Sequence, residues 1–242
     1  MLKRSFDILI SFIALIVFFP ILCIFSFLIF VQDFKSPFYV ASRVGKNEID
    51  FKMIKLRSMV VDADKNGVDS TSSNDLRITS IGRIVRKFKL DELTQLINVF
   101  RGEMSLVGPR PNVLNETKLY SEKEKMLLTV KPGITDFASI VFSDEGEILK
   151  GSKDPDLEYN QLIRPGKSYL GLFYVNNCSM FIDIALCFLT ILSFFSKKTS
   201  LGLIKYLLQI YSADEMLIKI ASRDEKLKPS IPPGMNSIVT KR

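Results

Sequence analysis

Asp91 and Glu92 are adjacent carboxylates at the start of a helical pattern. Leu93, Leu96, Ile97 and Phe100 follow at i, i+3, i+4 and i+7, one apolar helix face. Just upstream, Ile81, Ile84, Val85 and Phe88 make a second stripe. Arg83, Arg86, Lys87 and Lys89 fill its other side, and from Arg77 to Leu90 there is no acid. Two carboxylates beside a cationic helix suit a metal ion and a phosphate in one place. The same residues allow a plainer role, because Asp91 can cap the helix and acids are favoured in a first turn. Further on, Pro109-Arg110-Pro111 holds an arginine between two residues of fixed φ. A rigidly presented guanidinium suits bidentate binding of a phosphate, and the bland alternative is a solvated turn.

The elements that must position these groups are partly legible. Residues 38–45 and 51–57 look like two short strands around Lys46-Asn47, a hairpin-like arrangement. On the second strand Lys55 and Arg57 share a face, either solvated or aimed at a ligand. Residues 60–76 are a polar loop carrying Asp62, Asp64, Asp69 and Asp75, without the regular spacing of a calcium loop. Mixed charge over residues 112–130 predicts an exposed helix. Residues 8–31 hold no charge and are long enough to cross a bilayer, with Lys3 and Arg4 before them and Pro20 in the middle. Hydropathy alone favours a kinked spanning helix; the run is long for a cleaved signal peptide and lacks a small-residue cleavage site. Met180–Phe195 is a shorter apolar run, read as an interfacial helix or a buried core helix. Residues beyond Ser222 read as a loose tail.

The bulk numbers narrow the chemistry. The 242 residues are 47% hydrophobic with a net charge of +7, and mean hydropathy is +0.20. Such a charge suits nucleic acid, an anionic membrane surface or a phosphorylated substrate. Histidine is absent, which removes the commonest general base and transition-metal ligand and leaves carboxylates with a hard cation. Cys23, Cys178 and Cys187 have no metal spacing and read as reduced thiols.

At these residues the chain resembles the bacterial sugar transferases, the monotopic polyprenyl-phosphate phosphoglycosyl transferases of the small-enzyme type. The matching pieces occur in family order: Lys3-Arg4-Ser5-Phe6-Asp7, Arg43-Val44-Gly45, Lys55-Leu56-Arg57-Ser58-Met59, Asp75-Leu76-Arg77-Ile78-Thr79 and Gly82-Arg83. Leu90-Asp91-Glu92-Leu93, Gln95, Asn98-Val99, residues 102–111, residues 131–135 and Tyr174-Val175 complete the set. The set covers about residues 1 to 195. Two departures stand out: the family's Ser-Pro break is Phe19-Pro20 here, and its Gly-x-Ala-Gln is Asp136-Phe137-Ala138-Ser139.

The resemblance implies an α+β fold in three parts. Residues 1–35 would be a re-entrant membrane helix-break-helix. Residues 36–200 would be a mostly helical cytoplasmic catalytic domain with a short β-hairpin and interfacial amphipathic helices. Residues 201–242 would be an amphipathic helix and loose tail, outside the resemblance. It implies transfer of a sugar 1-phosphate from a UDP-sugar to undecaprenyl phosphate at the cytoplasmic face of a bacterial inner membrane. Asp91 would be the nucleophile, and Glu92 a Mg²⁺ ligand or general base, the pair being the candidate metal site. Lys55, Arg57, Arg77, Arg83 and Arg86 would serve phosphate and substrate oxygens, with Arg110 orienting the nucleotide. Pro20, Pro109 and Pro111 would be structural. The partners implied are the UDP-sugar, the lipid phosphate and the bilayer, with a homodimer left open and no nucleic acid. Outside enzymes, the rival is a membrane-anchored module using its basic face for anionic lipid or nucleic acid.

Overall fold

Leu2–Asp33 form a single helix, α1, which runs unbroken through Pro20. The expected break at Pro20 is thus absent: a proline removes one ladder donor, and the neighbouring turns keep theirs. The computed structural model describes residues 2–68 and 70–240; Asp69 of the acidic loop lies outside them. At 1.5 Å per residue the 32 residues of α1 span about 48 Å. Both ends are tied down. Near the start, the Lys3 ammonium donates to the Val107 carbonyl (3.2 Å) and pairs with Asp183. Arg4 donates to the carbonyls of Val99 (2.6 Å) and Phe100 (2.8 Å). Buried Asp7 accepts from the Ser105 hydroxyl and the Leu106 amide. At the far end Asp33 accepts from the Arg57 guanidinium at 2.7 Å. Between these anchors Ala14, Leu15, Ile21, Leu22, Phe25 and Ile29 pack inward, while Phe12, Ile16, Phe19 and Phe27 stay exposed.

The hairpin forms as read: β1 (Phe38–Val44) pairs antiparallel with β2 (Asp50–Leu56). Next come α2 (Ser80–Lys87), α3 (Leu90–Leu93) and α4 (Gln95–Arg101). A second small sheet pairs β3 (Ser105–Val107) with β4 (Gly133–Thr135) in parallel, across 25 residues that gave no strand signal. Its tight join relies on two glycines: a Cβ on Gly133 would lie 2.1 Å from the Gly108 nitrogen, and one on Gly108 2.4 Å from the Lys131 oxygen.

Short helices follow: α5 (Leu114–Thr117), α6 (Phe137–Val141), α7 (Glu145–Ile148) and α8 (Pro155–Glu158). A π-turn at Tyr159–Ile163 leads into α9 (Arg164–Asn177), then α10 (Met180–Phe195), α11 (Lys197–Ile210) and α12 (Glu215–Ser222). Val99, Met104, Phe137, Leu170, Tyr174, Leu186 and Ile204 share one buried cluster. Leu207, Leu208, Leu217 and Ala221 belong to it too, so α11 and α12 pack on the core of the preceding residues.

Three readings need revision. The pattern from Lys89 to Phe100 is two short helices, because the Thr94 hydroxyl donates to the Asp91 and Ile54 carbonyls where the ladder parts. The stretch 112–130 is no exposed helix. Glu124 within it is fully buried, accepting from both Arg164 and Ser168. The C-terminal residues lack regular structure yet are pinned: Ser230 N donates to the Gln161 carbonyl (3.0 Å), and the Gln161 amide to the Val239 carbonyl (2.8 Å). Met180–Phe195 is packed on the core along one side, as the buried-helix reading expected, and open along the other. Ile182, Leu186 and Leu189 are buried, while Phe181, Ile184, Phe188, Ile191 and Phe194 are exposed.

Candidate active site

The edge of β2 is held to α4 by side chains. Asn98, fully buried, accepts from the Ile54 amide (3.0 Å) and donates to the Lys52 carbonyl (2.7 Å). With Thr94 on the Ile54 carbonyl, the unpaired strand edge is satisfied and Lys55 is brought to the Asp91-Glu92 dyad. On the other side α2 lies against Ser58. A Cβ on Gly82 would sit 1.9 Å from the Ser58 oxygen, so only glycine lets the helix approach. That seating carries Arg86 inward, where it donates to the Ser58 hydroxyl at 3.4 Å. Arg110 emerges from the β3–β4 join between buried Pro109 and Pro111, and its guanidinium meets Glu92 at 2.8 Å.

The dyad's two carboxyls are pushed in opposite directions. Burial raises the pKa of Asp91, and Glu92 raises it further, while Lys55, Arg86 and Arg110 pull against this. Burial acts on Glu92 too, but Arg110, Lys55 and Lys89 outweigh it and hold that carboxyl at about 2. Burial, with Arg110 beside it, lowers the Lys55 pKa to about 8. Lys89 is lowered as well, chiefly by burial. The result is one firmly ionised carboxylate, one carboxylate held less firmly, and a cationic rim.

Lys55, Arg86, Arg110, Asp91 and Glu92 are therefore one electrostatic cluster. The other predicted cations stand elsewhere. Arg57 is buried past the end of β2 and turned to α1, where it binds Asp33 and the Ser36 carbonyl (2.8 Å). Arg77 grips Asp75 at 2.7 Å and the Ala63 and Val68 carbonyls, fastening the polar loop. Arg83 is exposed on α2. The resemblance groups these three with the rest, and alternation along a strand or helix cannot tell which cation turns to which neighbour.

Arg110 also lines a cleft with Asn112, Asp136, Ser139, Tyr159 and Lys167. Asp136 caps α6, accepting from the Ser139 amide at 2.7 Å, and burial raises its pKa. Thus the departure at Asp136-Phe137-Ala138-Ser139 borders the cleft beside the dyad. Lys167 pairs with Glu145, whose charge also acts on Arg110. Neither Lys167 nor Glu145 was readable as a site residue, since no motif joins them to the dyad. Lys89 was visible only as one of a run of cations.

The two carboxylates could hold a divalent cation together with substrate oxygens. Among the described residues no group of three acidic, histidine or cysteine side chains forms a complete cage. Mg²⁺ is commonly held by one or two carboxylates, with water and substrate phosphates completing the shell, so this donor set fits it.

Comparison with known proteins adds an independent line. The family described as bacterial sugar transferase matches residues 1–197. The exopolysaccharide production protein ExoY of Sinorhizobium fredii is 34% identical over 204 residues, 78% of this chain and 83% of that protein. The undecaprenyl-phosphate galactose phosphotransferase of Salmonella typhimurium is 34% identical over 78% of this chain, but this match covers only 39% of that larger protein. An Aeromonas hydrophila UDP-N-acetylgalactosamine-undecaprenyl-phosphate N-acetylgalactosaminephosphotransferase is 29% identical over 78% of this chain and 43% of its own length.

Proposed function

The chain belongs to the bacterial sugar transferase family, and on that premise we propose that it transfers a sugar 1-phosphate from a UDP-sugar to undecaprenyl phosphate, releasing UMP, as a membrane step of surface polysaccharide synthesis. The named activities of the Salmonella and Aeromonas relatives support this donor and acceptor class. The observation that carries the reading is the dyad. It sits inside a cationic cluster, with Arg110 bridging from Glu92 to the cleft.

In this reading a carboxylate oxygen of Asp91 attacks the sugar-bearing phosphorus. The bond to the bridging oxygen breaks, UMP leaves, and the sugar phosphate stays on Asp91 as an acyl phosphate. A phosphate oxygen of undecaprenyl phosphate then attacks the same phosphorus, and Asp91 is released as a carboxylate. Splitting the transfer replaces one hard step by two easier ones. Lys55, Arg86 and Arg110 supply fixed positive charge where phosphate oxygens gather, the main requirement of phosphoryl-type transfer. Asp91 and the free oxygen of Glu92 would hold Mg²⁺, which when bound neutralises charge on the donor's phosphates.

The membrane element in this reading is α1, with both ends at the cytoplasmic face. Its exposed apolar side suits the bilayer, and its two anchored ends keep it alongside the catalytic residues. Residues 36–200 would then form the catalytic unit at the cytoplasmic face.

Asp91→Asn tests the mechanism. In the structure Lys89, not Asp91, stands at the cap position of α3, so the capping role read for Asp91 is not seen. The amide keeps the side chain's shape, and the variant should fold, losing about 1 kcal/mol or less. Incubated with UDP-sugar labelled in the sugar and no lipid, the wild-type protein should carry label that leaves on adding undecaprenyl phosphate. Asp91→Asn should carry none and release no UMP. Robust turnover by Asp91→Asn would exclude Asp91 as the nucleophile.

A further inference from the structure

Lys89 lies just before the dyad in the chain, and its ammonium approaches the apolar side of α10. Its backbone is left-handed, φ 51°, at the residue just before α3. It is held there by its amide on the Arg86 carbonyl and its carbonyl under the Glu92 amide, both at 3.1 Å. A lysine in this conformation is strained, and such strain persists only where surroundings enforce it. Its ammonium lies 5.9 Å from the centre of the Phe194 ring. Among the described residues that ammonium has no carboxylate or carbonyl within hydrogen-bond reach, although it is half-buried and close enough to Asp91 and Glu92 to feel their charge. Phe194 is 53% exposed and Phe88, next to Lys89, is 57% exposed. So, among the described residues, an ammonium without a hydrogen-bond partner lies near exposed aromatic rings and within reach of the carboxylates' charge.

We propose that Lys89 binds the phosphate of the isoprenoid lipid acceptor, at the seam where the apolar side of α10 meets the dyad. The proposal rests on the transferase reading above. Of the two substrates, only the acceptor joins a phosphate monoester to a long apolar chain, and this side of the dyad joins a cation to exposed aromatic rings. The donor's nucleotide has its own side, through Arg110 and the cleft. A phosphate approaching Asp91 and Glu92 meets two like charges, and a nearby ammonium offsets part of that repulsion. The apolar contact supplies affinity without further polar groups.

The test uses the full chain in micelles of neutral detergent, with UMP release as the readout and UDP-galactose and UDP-N-acetylgalactosamine as donors. Lys89→Met should raise the KM for undecaprenyl phosphate by about tenfold or more, the loss of one charge-assisted contact. The KM for the donor should stay within about twofold, since the removed contact belongs to one substrate. Lys89→Arg should restore the lipid KM, and melting curves should show all variants folded. An unchanged lipid KM in Lys89→Met, an equal rise in both constants, or a failure of arginine to restore would each overturn the assignment. Binding of undecaprenyl phosphate against undecaprenol, measured without donor, keeps the two readings apart. If the wild type releases UMP from no UDP-sugar, the transferase reading fails. Selective loss of the phosphorylated lipid in Lys89→Met would still support the site, and equal binding of both lipids would overturn it.

Discussion

Lys55 carries a burial cost that the dyad only partly offsets. Its pKa falls to about 8, so its ammonium deprotonates as pH rises through that value in the free protein. If the charged form holds the donor's phosphates, kcat/KM for the UDP-sugar should fall above about pH 8, because that ratio reports the free enzyme. Lys55→Arg should move this limb to much higher pH, since guanidinium stays protonated. A limb unmoved by Lys55→Arg would assign it to another group. The sign for stability is the reverse. Between about 8 and the ordinary 10.5 the unfolded chain binds more protons than the folded one, so stability rises with pH across that window. Lys55→Met should therefore melt no lower than the wild type at pH 7 while its activity falls. On the acid side, burial raises Asp91, so activity should begin to fall at a pH above the ordinary 3.8 of an aspartate.

Secondary-structure elements set these groups by close backbone approach and by side chains that finish a ladder. The seating of α2 on Ser58 depends on the missing Cβ of Gly82. Gly82→Ala puts a methyl 1.9 Å from a carbonyl oxygen, and the helix must lift, carrying Arg86 outward. Overpacking of this kind costs about 2 kcal/mol, offset in part by the helix preference of alanine. The melting temperature should drop by roughly 4–8 °C, with UMP release lowered at temperatures where the variant is still folded. Wild-type melting and turnover in Gly82→Ala would mean that α2 does not need this contact. Asn98 does comparable work for the hairpin: its amide closes both an orphan donor and an orphan acceptor of β2.

At the scale of the molecule, the proposed reading makes α1 the element that meets the bilayer. Its start is bound through Lys3, Arg4 and Asp7, and its end through Asp33. A helix fastened at both ends to one folded body cannot carry that body's two anchor points to opposite sides of a membrane. Topology mapping in intact cells checks this. In a background with Cys23, Cys178 and Cys187 replaced, single cysteines at Leu2 and Lys35 should both resist a membrane-impermeant thiol reagent. Both should react after permeabilisation. Reaction of the Leu2→Cys thiol in intact cells would show a spanning helix and sink the placement of both ends in the cytoplasm.

Period and composition alone determined the hairpin, the apolar length of α1 and the two-sided character of Met180–Phe195. Each is a local pattern whose cause lies within a few residues. The dyad was legible because its two carboxylates are adjacent, and Arg110 because two prolines flank it. What only the tertiary structure decided is which cation faces which partner. Lys55 and Arg57 share a strand face in the pattern, yet Lys55 turns to Asp91 and Arg57 to Asp33, because the strand ends between them and α1 lies beyond. The β3–β4 join, the Glu124–Arg164 pair and the nearness of Lys89 to Phe194 each unite residues 28 to 105 positions apart. Such contacts depend on how helices and strands pack, and packing leaves no period in the chain.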